Sequence, residues 1–427
     1  MADLSVDFCG IRSPNPFWLA SAPPTNTGGQ VMRAFDAGWG GAVWKTLGQP
    51  IVNVSSRYST VDFDGKRVMG LNNIELITDR PLEVNFREIK EVKKRYPKHV
   101  VIVSLMVESK REAWHEIVRR AEDAGADGLE LNFGCPHGMS ERGMGSAVGQ
   151  VPEYACQITE WAKEAAKTPV IVKLTPNISD IRFPARAAKK GRADAVSLIN
   201  TINSVTGVDL DTFTPRPDVG GKSAHGGYCG PAVKPIALSM LAEVARDPEV
   251  GIPISGIGGI GTWRDAAEFM LLGATTVQVC TAVMHHGFRI VEDMIDGLSN
   301  YLDDKGLKSA MELVGKSVPR YARWEELDLN YKVVAEIDQA KCIGCGLCYA
   351  ACEDGAHQSI KARPAAGGTH CEINQETCVG CNLCSLVCPV DTCITMKQID
   401  TGRPKLTWKE YAQDPSKHPH LGPHNAH

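Results

Sequence analysis

Short apolar runs alternate with amphipathic stretches along residues 17–303 of this 427-residue chain. The apolar runs are rich in β-branched residues, and the stretches that follow them have the length and periodicity of helices. This alternation is typical of βα units around a parallel sheet. It predicts eight strands, namely Phe17–Ser21, Gly41–Thr46, Val100–Met106, Gly128–Phe133, Val170–Leu174, Ala195–Thr201, Pro253–Ser255 and Thr276–Thr281.

Eight βα units favour an α/β fold of the closed (β/α)8 or TIM barrel type, because a doubly wound sheet usually needs fewer strands. Two long segments interrupt the pattern after predicted strands, at residues 135–150 and at residues 201–231. Barrels bind ligands with the loops at the carboxyl ends of their strands. We therefore expect these two segments to act as substrate-binding lids.

Eight of the fifteen cysteines lie near the C-terminus in two runs with the spacing C-x2-C-x2-C-x3-C. Bacterial-type ferredoxin modules hold two [4Fe–4S] clusters with this spacing, and the fourth cysteine of each run binds the other run's cluster. Zinc sites and disulfides are the alternatives, but zinc needs a longer loop between its ligand pairs and disulfides need an oxidising compartment. The predicted ligands are Cys342, Cys345, Cys348 and Cys388 for one cluster, and Cys378, Cys381, Cys384 and Cys352 for the second.

The length of the chain indicates more than one domain. We predict a barrel over residues 1–315, a linker over 316–334, a small ferredoxin-like domain over 335–400 and a C-terminal tail over 401–427. The last fifteen residues contain four histidines among prolines without periodicity. We expect this last segment, Gln413–His427, to be a solvated extension rather than a metal site.

The charge balance is nearly even, with 46 basic and 50 acidic residues. It therefore offers no electrostatic basis for binding nucleic acid or a membrane surface. The first residues do not have the pattern of a signal peptide, and no apolar stretch is long enough to span a bilayer. We expect a cytoplasmic protein.

Polar and reactive side chains follow several predicted strands, and in a barrel they would face one mouth. Lys173 closes the apolar strand Val170–Leu174, where its ammonium needs an anionic or acceptor partner. The N1–O2 edge of a flavin would supply one. The other members of this group are Ser21, Lys45, Thr46, Asn132, Asn200 and Thr201.

The segment Gly256–Gly261 matches the pattern GxGxxG, which in a dinucleotide-binding fold would require an acidic residue about twenty positions later. The next strand reads Thr276–Val279 instead. In an eight-stranded barrel, glycines after the seventh strand and the loop after the eighth form a phosphate cradle. We predict that a mononucleotide phosphate binds here, and a tight turn without a ligand is the alternative. The predicted phosphate residues are Gly258, Gly259, Cys280 and Thr281.

Cys135 follows the fourth predicted strand at the root of a glycine-rich loop. A thiol of ordinary pKa is mostly protonated at neutral pH, so it can act as a general acid opposite a flavin hydride. His137 is placed to tune it. The alternative is a cysteine that only packs, as we expect for Cys9, Cys156, Cys229, Cys371 and Cys393.

Several of these segments together resemble the dihydropyrimidine dehydrogenase family. They are Ala20–Ala22, Lys45–Thr46, Asn73–Leu76, Asn132–Gly145, Lys173–Asn177, Asn200–Thr201 and the two cysteine runs. The length is similar to that of the PreA-type FMN and iron–sulfur subunit of the bacterial NAD-dependent enzymes, and the resemblance extends over essentially the whole chain. It implies reduction of uracil or thymine to the 5,6-dihydropyrimidine.

The resemblance also implies residue roles. FMN N5 would pass hydride to C6 of the pyrimidine while Cys135 protonates C5. Relatives commonly have serine before this cysteine, so Gly134 implies one hydrogen bond fewer and a more mobile loop. The implied FMN-binding residues are Ala20, Ser21, Lys45, Thr46, Lys173, Gly230, Ile257, Gly258, Gly259, Cys280 and Thr281. The implied pyrimidine-binding residues are Asn73, Glu75, Asn132, Asn200 and Thr201.

We find neither an NAD site nor an FAD-binding half in the sequence, so electrons must arrive from elsewhere. The resemblance implies a PreT-type partner subunit with FAD and NADH sites, in a hetero-oligomer such as a heterotetramer. Two alternative functions remain. One is a dihydroorotate dehydrogenase-like flavoenzyme, which shares the FMN barrel and the catalytic cysteine. The other is a non-catalytic iron–sulfur electron-transfer subunit whose barrel is a docking scaffold.

Overall fold

The computed structural model describes residues 2–49, 52–63, 66–365 and 367–421. The chain divides into two compact units, with the boundary between Tyr321 and Ala322. This boundary lies inside the segment 316–334 that we predicted as a linker. The start of that segment packs with the first unit, since the Ser317 N–H donates to the Leu271 carbonyl. The domain limits proposed above stay predictions.

The described residues of the first unit form fourteen strands and ten α-helices. Its strands are β1 Val6–Phe8, β2 Ile11–Ser13, β3 Phe17–Leu19, β4 Gly41–Leu47, β5 Tyr58–Phe63, β6 Lys66–Asn73, β7 Val100–Leu105, β8 Gly128–Asn132, β9 Val170–Lys173, β10 Ala195–Leu198, β11 Ile202–Ser204, β12 Gly226–Cys229, β13 Ile254–Ile257 and β14 Ala274–Val279. Its helices are α1 Gly28–Ala37, α2 Leu82–Arg95, α3 Arg111–Asp123, α4 Ser146–Gly149, α5 Pro152–Ala165, α6 Arg182–Lys190, α7 Lys234–Ala245, α8 Trp263–Leu271, α9 Thr281–His286 and α10 Ile290–Asp304.

Eight parallel strands close into a barrel in the order β3, β4, β7, β8, β9, β10, β13 and β14. They correspond to the eight predicted strands, so the TIM barrel prediction is confirmed. Strands β4, β7 and β14 are buried along their whole length, as expected when helices cover a parallel sheet. The strand ends differ from the prediction by a few residues.

The seventh barrel strand shows why the predicted ends were inexact. We predicted Pro253–Ser255, whereas β13 continues through Gly256 to Ile257. Glycine weakens a strand signal because it has no side chain to pack. Here a β-carbon on Gly256 would lie 2.5 Å from Cδ1 of Phe269 on α8. The glycine therefore allows a helix to approach the barrel closely.

The amino-terminal hairpin of β1 and β2 packs at the beginning of the barrel strands. Phe8 and Ile11 form a buried cluster with residues that start these strands, such as Val100 and Ala195. The Phe8 ring meets the Trp18 ring edge to face, with centroids 5.6 Å apart. The opposite end, where the strands finish, is left for loops and polar side chains.

A four-stranded antiparallel sheet, in the order β11, β12, β6 and β5, was not predicted. Its strands come from segments far apart in sequence, and Asn73 pairs with Gly227. The segment at residues 201–231, which we expected to be a lid loop, supplies two of its strands. A β-carbon on Gly227 would lie 2.1 Å from Oγ1 of Thr201, so this short glycine-rich strand depends on close packing that propensity does not reveal.

In the second unit, the residues that the structure describes form two antiparallel strand pairs, β15 with β18 and β16 with β17. Helices α11 and α12 each carry part of a cysteine run. Among the described residues of the whole chain, none of the helices is long and apolar enough to cross a bilayer. The elements are β15 Lys332–Ile337, α11 Leu347–Gly355, β16 Ile360–Ala365, β17 Gly368–Ile373, α12 Leu383–Leu386, β18 Ile394–Ile399 and α13 Trp408–Tyr411.

The predicted tail, residues 401–427, is described as far as Leu421. It contributes α13 and contacts the body of the second unit, since the Leu329 N–H donates to the Leu406 carbonyl and His420 Nε2 lies 2.9 Å from Asn330 Oδ1. The expectation of a solvated extension concerns residues 413–427, none of which is buried among those described, and it stays a prediction. His424 and His427 lie outside the described residues.

Gly149→Ala tests how tightly the loop after β8 packs. A β-carbon on Gly149 would lie 2.0 Å from the carbonyl oxygen of Phe133, and a backbone atom cannot rotate away. We expect the free energy of unfolding to fall by about 1–3 kcal/mol in chemical denaturation. The control is Gly29→Ala on α1, where the space is open and we expect a gain of about 0.5–1 kcal/mol. Unchanged stability of Gly149→Ala would contradict this packing.

Candidate active site and cluster sites

One cavity of about 510 Å³ opens among the loops that follow the barrel strands. It gathers every residue predicted to bind flavin or pyrimidine, together with the predicted acid Cys135. The ligand of each residue stays a prediction. The predicted residues that line the cavity are Ala20, Ser21, Lys45, Thr46, Asn73, Glu75, Asn132, Lys173, Asn200, Thr201, Gly230, Ile257, Gly258, Gly259, Cys280 and Thr281.

Two asparagine amides at one side of the cavity are held by hydrogen bonds. Asn132 Nδ2 donates to Thr46 Oγ1 at 3.0 Å, and Asn132 Oδ1 accepts from Asn200 Nδ2 at 3.0 Å. Thr46 Oγ1 in turn lies 3.1 Å from Ser21 Oγ. These bonds fix which amide atom faces which way. The site can therefore present an ordered set of donors and acceptors to a flat polar ring.

Gly134 shapes this amide pair. Its N–H donates to Asn132 Oδ1 at 3.2 Å, and a β-carbon at this position would lie 2.4 Å from Cβ of Asn200. A serine here would collide with Asn200 unless the backbone moved. The close approach of Asn200 to residue 134 therefore requires glycine at that position. The expected increase in loop mobility stays a prediction.

Glu75 is the centre of a cluster of charges at the cavity wall. It forms an ion pair with Lys45, and the side chains of the two residues are 6% and 8% exposed, with Lys45 the less exposed. Its carboxylate also accepts from Arg57 Nη1 at 3.3 Å and from the Tyr58 hydroxyl. Burial and this contact raise the pKa of Tyr58, so the phenol stays a neutral donor. Sequence reasoning missed Tyr58 because β5 was not predicted.

Cys135 lies at the inner wall of the cavity and is 9% exposed. Burial raises the pKa of its thiol to about 11, so the thiol is protonated at neutral pH. The Sγ–H points to the His137 carbonyl at 3.6 Å. The His137 ring is also buried, which lowers its pKa, and its Nε2 lies 3.1 Å from the Glu75 carbonyl. His137 therefore contacts the thiol through its backbone rather than through its ring.

The predicted phosphate cradle is a glycine turn at the other side of the cavity. Gly258 and Gly259 have φ angles of +128° and +77°, which favour glycine. A β-carbon on Gly259 would lie 2.9 Å from the Gly230 carbonyl oxygen. The turn therefore requires glycine to pack against Gly230. Both glycines also line the cavity, and backbone N–H groups are donors that suit the phosphate of a mononucleotide, so the residues present fit that group. The turn follows β13 of the closed barrel, so the GxGxxG pattern does not belong to a dinucleotide-binding fold here.

Lys173 ends β9 inside the barrel mouth and is 5% exposed. Its Nζ lies 3.6 Å from Oε1 of Glu130, which is completely buried. We predicted that this ammonium needs an anionic partner but named only a flavin. The signal for Glu130 was available, because an acidic residue two positions before Asn132 in a strand shares its face.

The second unit collects the eight predicted cluster ligands into two pockets. One pocket is lined by Cys342, Cys345, Cys348 and Cys388, and the other by Cys352, Cys378, Cys381 and Cys384. This is the crossed pairing that the spacing predicts, although the role of each cysteine stays a prediction.

Two further cysteines and a glycine also lie at these pockets. Cys371 and Cys393, which we interpreted as packing residues, are buried and also line the first pocket. Gly380 sits between the first two cysteines of the second run with a φ angle of +73°, and a β-carbon there would lie 2.3 Å from the Val333 carbonyl oxygen. The turn between the ligands therefore requires glycine. The four predicted cysteine ligands around each pocket are the ligand set of a [4Fe–4S] cluster, so the residues present fit an iron–sulfur cluster.

Comparison with known proteins agrees with both units. Residues 3–302 match the family model for dihydroorotate dehydrogenase, and residues 335–396 match the model for a 4Fe-4S dicluster domain. The chain is 45% identical to the NAD-dependent dihydropyrimidine dehydrogenase subunit PreA of Escherichia coli K12, over 93% of this chain and 96% of that protein.

Two further relatives cover less of the chain. The chloroplastic dihydropyrimidine dehydrogenase (NADP(+)) of Arabidopsis thaliana is 40% identical over 79% of this chain and 82% of its own length. The catalytic subunit of dihydroorotate dehydrogenase B (NAD(+)) of Pyrococcus abyssi is 37% identical over 73% of this chain and 98% of its own length.

The raised pKa of Cys135 predicts how the thiol reacts. Between about pH 7 and 9.5 the alkylation rate of Cys135 should increase by about tenfold per pH unit without levelling off, because the thiolate stays a minor species below pH 11. In denaturant the rate should level off above about pH 8.5. The rate is measured by mass spectrometry of the Cys135 peptide after timed iodoacetamide treatment. A plateau near pH 8.5 in the folded protein would contradict the prediction.

Proposed function

Since the chain belongs to the family of PreA-type dihydropyrimidine dehydrogenase subunits, which are oxidoreductases with a dihydroorotate dehydrogenase barrel and a 4Fe-4S dicluster domain, we propose that it reduces uracil or thymine to the 5,6-dihydropyrimidine. The observation that carries the proposal is a protonated thiol and an ordered amide pair in one cavity. Cys135 supplies the first, and Asn132 with Asn200 the second.

FMN is the cofactor that we propose for the cavity, and when bound it supplies the hydride for the pyrimidine ring. Its phosphate would be held by the turn at Gly258 and Gly259 and by Cys280 and Thr281. The remaining proposed contacts to FMN come from Ala20, Ser21, Lys45, Thr46, Lys173, Gly230 and Ile257.

Cys135 donates the proton to C5 of the pyrimidine in this proposal. Its raised pKa favours this role, because the proton stays on the sulfur until a carbanion-like centre develops beside it. Burial also excludes bulk water, which could otherwise supply protons without control. The thiol is restored by a proton from solvent after each turnover.

The amides of Asn73, Asn132 and Asn200, with Glu75 and Thr201, hold the pyrimidine. A pyrimidine base carries N–H and C=O groups in alternation around one edge, so amides and a carboxylate can pair with each of them. Pairing matters because a buried polar group without a partner is strongly unfavourable. A ring that lacks this alternation would leave part of the site unpaired and would bind weakly.

Dihydroorotate oxidation is the second candidate function, because one of the matched relatives is a dihydroorotate dehydrogenase catalytic subunit. Orotate and dihydroorotate carry a carboxylate. Among the described residues that line the cavity, each lysine already lies within 4 Å of an acid: Lys45 near Glu75, Lys173 near Glu130, and Lys234 near Asp265. The cavity therefore favours an uncharged pyrimidine over a carboxylated one.

Electrons reach the cavity through two [4Fe–4S] clusters in this proposal. The clusters carry single electrons, and a flavin can collect two of them before it transfers a hydride. We propose a PreT-type partner subunit with FAD and NADH sites as the electron donor, in a hetero-oligomer. The E. coli relative is named a subunit, and this supports the proposal that the present chain also has a partner.

Cys135→Ala tests the catalytic proposal. We expect the variant to retain flavin and iron but to lose at least about a hundredfold in turnover, because the proton donor is gone. The measurement is anaerobic reduction of uracil and thymine with an artificial low-potential donor, followed by product analysis. The control is Cys156→Ala, which removes a thiol on helix α5 near Glu160 and should keep full turnover.

The substrate panel includes orotate and, in the oxidative direction, dihydroorotate. Turnover of these acids without turnover of uracil or thymine would favour the dihydroorotate dehydrogenase alternative. Full uracil turnover in Cys135→Ala would contradict the role of the thiol. A protein that binds flavin and iron yet reduces no pyrimidine would support the non-catalytic alternative.

Cys345→Ala tests the number of clusters. We expect iron to fall from about eight to about four atoms per chain, because only one cubane loses a ligand. The control is Cys371→Ala, which changes another thiol of the same pocket and should keep about eight atoms. Iron and sulfide are quantified on anaerobically purified protein. Equal iron in Cys345→Ala and the parent, or an equal loss in both variants, would contradict the assigned ligands.

A further inference from the structure

Glu130 is a buried acid for which the proposed reaction has no use. It lies in β8 on the same face as Asn132 and is 0% exposed. An ionised carboxylate in a protein interior is strongly unfavourable unless it is paired and accepts hydrogen bonds. The partners of Glu130 therefore indicate what it does.

The two carboxylate oxygens have different surroundings. Oε2 accepts hydrogen bonds from Ser197 Oγ at 2.9 Å and from Gln278 Nε2 at 3.1 Å. Oε1 accepts no hydrogen bond from any described residue and lies 3.6 Å from Lys173 Nζ. One oxygen therefore anchors the carboxylate to the barrel wall, and the other faces the ammonium group.

Lys173 stands between this acid and the cavity. Lys173 and Gln278 both line the cavity, whereas Glu130 lies behind them without exposure. The separation of 3.6 Å is longer than a direct hydrogen bond, so attraction between charges holds the pair. The hydrogens of the ammonium group are thus left for a ligand in the cavity.

We infer that Glu130 is a positioning residue that holds the Lys173 ammonium towards the cavity and offsets its charge at the flavin ring. This inference rests on the proposed function, because Lys173 is one of the residues proposed to hold FMN. A cation beside the N1–O2 edge makes an isoalloxazine more electron-poor, and an anion behind that cation weakens the effect. Glu130 therefore limits how readily the flavin accepts electrons.

Sulfite provides a test that needs no turnover. It adds reversibly to N5 of oxidised flavins and bleaches their visible band, and its affinity increases with positive charge at the N1–O2 edge. In the flavin-loaded protein, Glu130→Gln should lower the Kd for sulfite by about tenfold, because Lys173 then lacks its counter-charge. Lys173→Met should raise the Kd by about tenfold for the opposite reason. Both are measured by difference absorbance.

Two further variants separate charge from packing. Ser197→Ala removes a hydrogen bond to Oε2 but keeps both charges, so the Kd for sulfite should stay within about twofold of the parent. Glu130→Asp restores a carboxylate on a shorter side chain and should bring the Kd from the Glu130→Gln value back towards the parental value. A purely structural role would not give this order.

The outcomes distinguish this inference from the proposed function. A parent protein that takes up no flavin overturns both. A flavin-containing Glu130→Gln variant whose Kd for sulfite equals or exceeds that of the parent overturns the inference alone.

A separate comparison applies where Glu130→Gln does not fold. Lys173→Met leaves the buried carboxylate without a counter-charge, so the double variant Lys173→Met/Glu130→Gln should melt at a higher temperature than Lys173→Met alone. A lower melting temperature of the double variant overturns the inference.

Discussion

The closed ladder of eight parallel strands is the constraint on which the first unit depends. Closure gives every barrel strand a neighbour on both sides, so no strand can shift in register without disturbing the whole ring. Because the strands are parallel, it also places the carboxyl end of every barrel strand at the same mouth. Lys45, Asn132 and Lys173 belong to three different strands, yet their side chains meet in one cavity because each lies at or near the carboxyl end of its strand. The site is thus a result of the fold's geometry.

Burial then imposes pairing on the polar groups at this mouth. Lys45 is paired with Glu75, Lys173 with Glu130, and the amide of Asn132 with Thr46 and Asn200. Each pair reduces the unfavourable free energy of removing polar groups from water. Each also fixes an orientation, so the cavity presents a defined pattern rather than a set of mobile side chains. Stability and recognition have the same physical origin here.

Local patterns in the sequence were sufficient to predict the barrel strands, the grouping of the cluster cysteines and the approximate place of the cavity. The strand pattern is local because each buried strand is a short apolar run between turns. Tyr58 and the four-stranded sheet escaped prediction because they depend on long-range pairing, and so did the partner of Glu130, although its place on the face of Asn132 could be read from the strand. Glu130 is favourable only beside Lys173, and Tyr58 matters only through Glu75, which lies in another segment. The path of the tail around Asn330 escaped for the same reason.

Three cysteines line the cavity, and residue type alone does not show which of them is the acid. Burial raises the pKa of Cys135, Cys229 and Cys280 alike, so all three thiols are protonated at neutral pH. Cys135 and Cys229 differ in what their sulfurs contact. Cys229 lies 3.2 Å from both the Leu71 carbonyl oxygen and Thr281 Oγ1, so its thiol is engaged by the surrounding protein. Cys135 has only a 3.6 Å contact with the His137 carbonyl, which leaves its proton the more available of the two for transfer to a ligand.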